Sequence, residues 1–174
     1  MITVINATNR QDNQSQIVSL CYKQMIEHKG VHVKYFSLEK LPLEYLNLDR
    51  LKSEVQKNGL AQIIGQYIIE VEKIIIVAPE YQGSFPGIFK LFLDFVKPEY
   101  LRDKKIALVG VSKGRAGNLR GLDHLTNIFH YLQANVMPQK LPISSLQNLV
   151  KDGKVNDDGT LRAIQNQVEL FLKY

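Results

Sequence analysis

Two hydrophobic rhythms alternate along the chain. ITVINA (2–7) is a β-forming run that gives way at once to the polar stretch TNRQDNQS. From residue 15 the period lengthens, so that Ile17, Leu20, Cys21 and Met25 fall on one helical face over 15–28, and Gly30 stops that helix. VHVKYFSL (31–38) alternates and predicts a second strand nearer the sheet edge. The stretch 40–58, with Pro42 and many charges, predicts a loop and a short helix around 49–57. A helix over 60–71 leads into KIIIVAP (73–79), whose nearly unbroken apolar run marks a strand buried on both faces. PEYQGSFPG (79–87) is loop chemistry, followed by the amphipathic IFKLFLDFV (88–96). KKIALVGVS (104–112) is a second fully buried strand that ends in the glycine-rich KGRAGNLRG (113–121). A helix over 122–134, a short strand NVMP (135–138), Asp/Gly turns over 151–159 and an amphipathic helix over 160–173 complete the pattern.

Strands alternating with helical crossovers imply a parallel sheet covered on both faces. Five strands of this kind suit an α/β fold, the flavodoxin-like doubly wound five-stranded parallel sheet of order 2-1-3-4-5, in one domain over residues 1–174. No repeat, low-complexity tract or linker divides the chain. In such sheets ligands bind outside the carboxyl ends of the strands, where the winding direction reverses. The polar loops after the first, third and fourth strands are therefore expected to meet in one crevice.

Composition narrows the picture a little. Apolar residues are 45% and charged residues 22%, the balance of an ordinary globular protein. No apolar run has the length of a membrane span, and the N-terminus lacks the features of a secretory signal. A lone cysteine, Cys21, agrees with a reducing compartment and sits among helix-spaced apolar residues, so packing is its expected role. A cytoplasmic protein is expected, with no membrane association. The net charge of +5 is scattered rather than gathered in a stripe, so no nucleic-acid partner is indicated; it suits an anionic, phosphate-bearing cofactor equally well.

The first loop, Ala7 to Ser15, runs into a helix N-terminus, where free amides and the dipole favour an anion. Thr8, Asn13 and Ser15 offer side-chain donors and Arg10 a fixed fork of charge, which suits a phosphate monoester. The plainer alternative is N-capping by Asn13 or Ser15 beside a solvated Arg10. No P-loop is present, which disfavours nucleoside triphosphates. The second loop packs two prolines and two glycines into nine residues, 79–87, and places the flat ring of Tyr81 beside backbone polar groups. A planar heterocycle needs both a surface and edge-on amides. The alternative is a simple turn, with Ser84 as N-cap and Pro86 in the first turn of the next helix. The third loop, Ser112-Lys113-Gly114-Arg115-Ala116-Gly117, sets small residues and two cations after a buried strand, but its glycines do not form G-x-G-x-x-G.

ATNR after the first strand, PEYQGSFPG after the third and VSKGRAGNLRG after the fourth together resemble the NADPH-dependent FMN reductase family, which includes quinone, azo-dye and chromate reductases. The resemblance spans nearly the whole chain, and PEY-x-GS-x-PG is its most specific part. It implies non-covalent FMN, NADPH or NADH as co-substrate, a small-molecule electron acceptor, and a homodimer or homotetramer with flavin near the subunit interface. It matches Thr8, Arg10, Asn13, Gln14 and Ser15 to the phosphate loop. Pro79, Glu80, Tyr81 and Gln82 match the segment along the isoalloxazine ring, and Ser112, Lys113, Gly114 and Arg115 the loop on its other side. Two positions depart from the pattern: Ala7 stands where Gly is common, and Gln82 where Asn is frequent. Ala7 is tolerable with a negative φ, and Gln82 matters less where its backbone, rather than its side chain, meets the flavin.

The remaining chemistry is sparse. His28, His32, His124 and His130 have no metal-ligand spacing, and no second cysteine supports a metal site. Asp152, Asp157 and Asp158 lie in turns, and no G-x-S-x-G elbow occurs. Arg120 and Asp123 begin the helix after the third loop. No catalytic side chain is assigned, since the cofactor carries hydride chemistry. The expected activity is an FMN-dependent NAD(P)H oxidoreductase. The alternatives are a flavodoxin-type electron carrier, which the positive charge argues against, and a regulatory module of the same fold.

Overall fold

The computed structural model describes residues 1–46 and 59–174; the short helix expected around 49–57 lies outside the described residues. Strand β1 (Ile2–Asn6) leads to helix α1 (Ser15–His28) and strand β2 (Val33–Ser37). Helix α2 (Gly59–Ile64), extended by a π-helical turn over Gly65–Ile69, precedes β3 (Lys73–Pro79), α3 (Gly87–Asp94) and β4 (Lys105–Val111). Then come α4 (Leu119–Tyr131), the short strands β5 (Asn135–Val136) and β6 (Leu141–Ile143), the hairpin β7 (Val150–Lys151) with β8 (Lys154–Val155), and α5 (Asp158–Lys173).

The main sheet runs β2-β1-β3-β4-β5, parallel at every pairing, with β2 at the edge. The expected order therefore holds, with one refinement. The fifth position is shared: β5 pairs with the start of β4 and β6 with its end. Met137 to Lys140, with Pro138 unable to donate to the ladder, separate the two pieces.

Successive residues of a strand face opposite sides, and the core divides accordingly. On one side Ile5, Ile74, Ile76, Ile106 and Leu108 pack with Leu60, Phe89, Phe92, Leu122 and Phe129 of α2, α3 and α4. On the other, Val4, Ile75, Val77, Ala107 and Val109 pack with Val18, Tyr22 and Ile26 of α1 and Ile164, Val168 and Phe171 of α5. Burial on both faces is why β3 and β4 are apolar at nearly every position.

Helix α1 shows a one-residue rotation from the expected face. Its deeply buried stripe is Val18, Tyr22 and Ile26, while Ile17, Cys21 and Met25 flank it and Leu20 is 36% exposed. Both stripes have the i, i+4, i+8 spacing, and the sheet, which the spacing does not contain, selects between them. Cys21 packs as expected. Burial raises its thiol pKa and, more strongly, that of the phenol of Tyr22.

Helix starts differ from expectation in two places. Ser84 does not cap α3: Pro86 precedes the first turn, and the Ser84 hydroxyl lies 2.8 Å from His124 Nδ1. Helix α4 begins at Leu119, straight after Asn118 in the left-handed region at φ 61°. Among the described residues no helix is long and apolar enough to cross a membrane.

Candidate functional site

From β1 the chain winds to β2 on one side and to β3 on the other. The loops leaving β1 and β3 diverge there and leave a crevice at the carboxyl ends of the strands. That crevice is a cavity of about 650 Å3, within the range of cofactor-sized pockets. The first loop lines it with Arg10 and Asp12–Ser15, the second with Pro79–Gly83, and the third with Val111–Ala116; Leu146 closes it from beyond β6. Every predicted site residue except Thr8 is in this wall.

Thr8 stands behind the wall, fully buried. Its hydroxyl is 2.7 Å from the Tyr81 phenol and accepts the Arg10 backbone N–H at 3.2 Å, so it fastens the first loop to the second. Asn13 and Ser15 also direct their side chains inward. Asn13 Oδ1 accepts the Gln16 N–H at 3.0 Å, the expected capping bond, and lies 2.8 Å from the Ser15 hydroxyl oxygen, whose one proton goes to Asn6 Oδ1. Asn13 Nδ2 donates to the Arg10 carbonyl at 2.8 Å and to Glu39 at 3.2 Å. The expected side-chain donors of this loop are thus engaged within the protein. Its backbone is not. Among the described residues no protein group accepts from the N–H groups of Asp12, Asn13, Gln14 or Ser15. These amides sit at the positive end of α1, whose first turn has no acidic residue.

The second loop is a tight reversal. Tyr81 and Ser84 exchange backbone hydrogen bonds at 2.8 and 3.0 Å around Gln82 (φ 52°) and Gly83 (φ 73°). Two successive positive φ angles define a type I′ turn, which glycine and asparagine adopt readily and glutamine does not. The departure at Gln82 is therefore a backbone matter. Ala7, by contrast, is not among the residues of positive φ and is fully buried, so the missing glycine costs nothing. The Arg10 guanidinium lies 4.7 Å from the centre of the Tyr81 ring, in cation–π contact.

The third loop is pinned from both sides. Ser112 Oγ donates to the Gly114 carbonyl at 2.8 Å and accepts the Gly117 N–H at 2.9 Å. Gly114 O and Ser112 O in turn accept the N–H groups of Ser145 and Leu146. Asn118, unremarked in the sequence, ties this loop to the second: its Nδ2 donates to the carbonyls of Ala78 and Pro79, and its backbone N–H to Glu80 at 3.2 Å. The backbone packs so closely that a Cβ on Gly110 would stand 2.0 Å from the Gly117 carbonyl oxygen. Lys113 and Arg115 are exposed at the rim and have no ion-pair partner among the described residues, nor does Arg10. The N–H groups from Lys113 to Ala116 are likewise without a protein acceptor among the described residues.

The arrangement can hold an anion at the α1 terminus and a flat polar heterocycle between the second and third loops. Two amide-rich walls, an aromatic face and the cations Arg10, Lys113 and Arg115, none ion-paired among the described residues, match the groups of FMN, so the residues present fit that cofactor. Among the described residues no group of three or more His, Cys, Asp or Glu could hold a metal ion.

The sequence pattern of the NADPH-dependent FMN reductase family matches residues 1–147. The chain belongs to this family. It is accordingly an NAD(P)H-dependent FMN oxidoreductase by class, with FMN and reduced nicotinamide as cofactor and co-substrate. An FMN-dependent NADPH-azoreductase of Staphylococcus saprophyticus is 25% identical over 169 residues, covering 96% of this chain and 86% of that one. A quinone reductase of Escherichia coli K12 is 30% identical over 116 residues, covering 63% of this chain and 62% of its own length. Among solved structures, the flavoenzyme NAD(P)H:(acceptor) oxidoreductase FerB of Paracoccus denitrificans superposes with a TM-score of 0.79 at 20% identity, covering 99% of this chain and 95% of that one. An archaeal flavodoxin superposes with a TM-score of 0.60 at 14% identity, covering 99% and 98% of the two chains. At these identities the superpositions bear on the fold alone.

Proposed function

We propose that this reductase uses NADPH or NADH and non-covalently held FMN to reduce a small acceptor: a flavin, quinone, azo compound or metal oxyanion. The observation that carries the reading is the convergence of uncommitted backbone amides and unpaired cations on one crevice beside Tyr81. Bound FMN supplies the two-electron centre. The amides of Asp12–Ser15, the α1 dipole and Arg10 hold its phosphate. The hairpin of Pro79, Glu80, Tyr81 and Gln82 gives the ring a wall, and Ser112, Lys113, Gly114 and Arg115 give its polar edge donors. Cationic and amide groups at that edge favour a ring that takes on negative charge, in a site already organised before any charge develops. No acid or base from the chain is required. The reading places the protein in the cytoplasm as a homodimer or homotetramer, in keeping with its single cysteine and with Leu119 and Tyr131 exposed on α4.

The experiment is spectroscopic. Protein loaded with FMN is mixed anaerobically with NADPH or NADH, then with a quinone or an azo dye. Loss of the oxidised flavin band followed by its return on addition of acceptor is the expected result. Colour that persists with both nucleotides contradicts the reading and indicates a carrier; failure to take up FMN indicates a module without flavin.

A further inference from the structure

Asn6, the last residue of β1, is fully buried in the centre of the sheet, between Ser37 of β2 and Val77 of β3. A polar amide at such a position is unfavourable unless every polar atom finds a partner. Here each does. Asn6 Nδ2 donates to Asn13 Oδ1 at 2.9 Å and to Ser37 Oγ at 3.2 Å, and Asn6 Oδ1 accepts the Ser15 hydroxyl at 2.8 Å. Asn13 passes the connection on, since its Nδ2 holds the Arg10 carbonyl at 2.8 Å. A continuous hydrogen-bonded path therefore runs from β2 through Asn6 to the far end of the first loop and, through Asn13, to Arg10 at its middle.

We infer that Asn6 is a positioning residue for phosphate recognition: from beneath the loop it fixes the backbone that presents the free amides of Asp12–Ser15. The inference rests on the FMN reading above and adds a residue that does not line the cavity. It also explains the choice of side chain. The site needs a donor toward Asn13 and an acceptor toward Ser15 from one planar group. Aspartate has the same shape but turns an acceptor toward the Asn13 carbonyl oxygen, and an aliphatic residue supplies neither.

The test separates phosphate from ring. FMN and riboflavin share the ring, and riboflavin lacks the phosphate. Wild-type protein, Asn6→Asp and Ser37→Ala are titrated with each flavin by fluorescence, alongside thermal melts. Asn6→Asp is expected to weaken FMN by about tenfold or more, the scale of a lost charge-assisted contact, and to leave riboflavin within about twofold. Ser37→Ala, which removes the acceptor of one Asn6 N–H, is expected to change the FMN-to-riboflavin ratio in the same direction by a smaller factor, and it decides the matter where Asn6→Asp does not fold. Equal weakening of both flavins, or an unchanged ratio in the folded variants, overturns the positioning role while leaving the FMN reading intact. A wild-type protein that binds neither flavin overturns both.

Discussion

Arg10 is held by its backbone, through Thr8 and Asn13, while its guanidinium rests on the Tyr81 ring with no ion-pair partner among the described residues. A fork of charge placed at an anion site contributes about 1.5–3 kcal/mol through charge-assisted hydrogen bonds. Arg10→Ala is therefore expected to raise the FMN dissociation constant about tenfold or more while leaving riboflavin nearly unchanged, measured by fluorescence titration. Gln82 makes a different prediction. Its left-handed backbone costs a glutamine about 1 kcal/mol, so Gln82→Gly is expected to raise the urea midpoint with little effect on flavin affinity. At this scale the sequence is legible as to place and partly misleading as to use. The crevice contains the expected residues apart from Thr8, yet the hydroxyls and the amide expected to face a ligand mostly secure the loop. Hydrogen bonds between residues far apart in sequence, such as Asn6 to Ser37, have no local signature.

Among the elements, β4 and the loop beyond it form the least tolerant joint. Gly110→Ala forces a Cβ against the Gly117 carbonyl, an overpacking that costs about 1–3 kcal/mol, and it displaces the third loop. Lower stability in urea together with weaker flavin binding is the expected outcome. Helix α5 supplies a test in pH. Asp157 caps it, accepting the Thr160 N–H at 2.7 Å and hydroxyl at 2.8 Å, and the Thr160 N–H is the foremost cause of a lowered carboxyl pKa. A carboxyl lowered on folding stabilises above its unfolded pKa and loses that contribution as pH falls through the folded value. Asp157→Ala is thus expected to depress the melting midpoint at neutral pH, and the gap from wild type should close below the usual carboxylate range. Long apolar strands such as 73–79 were plain in the sequence because burial on both faces leaves a continuous run. The strand β6 was not, since three residues with Pro142 at their centre carry no periodicity. Nor was the pairing of β7 with β8, although Asp152-Gly153 at φ 51° and 71° is a hairpin turn.

For the molecule as a whole, function follows from winding direction. Helices α1 and α5 cover one face and α2, α3 and α4 the other, and the reversal between β1 and β3 opens the crevice where the amide-rich loops meet. The alternation of strand and helix made this arrangement readable before any contact was known. Which side each helix takes depends on the handedness of the crossovers rather than on any one residue. The central claim is that three loops act as one flavin site. Amide chemical shifts of isotopically labelled protein, followed during FMN titration, test it most directly. The account predicts that the largest changes fall together on residues 10–15, 80–83 and 112–116, at a common saturation point. Changes centred elsewhere, such as the groove between α3 and α4 beside Tyr131, or confined to one of the three loops, would contradict it.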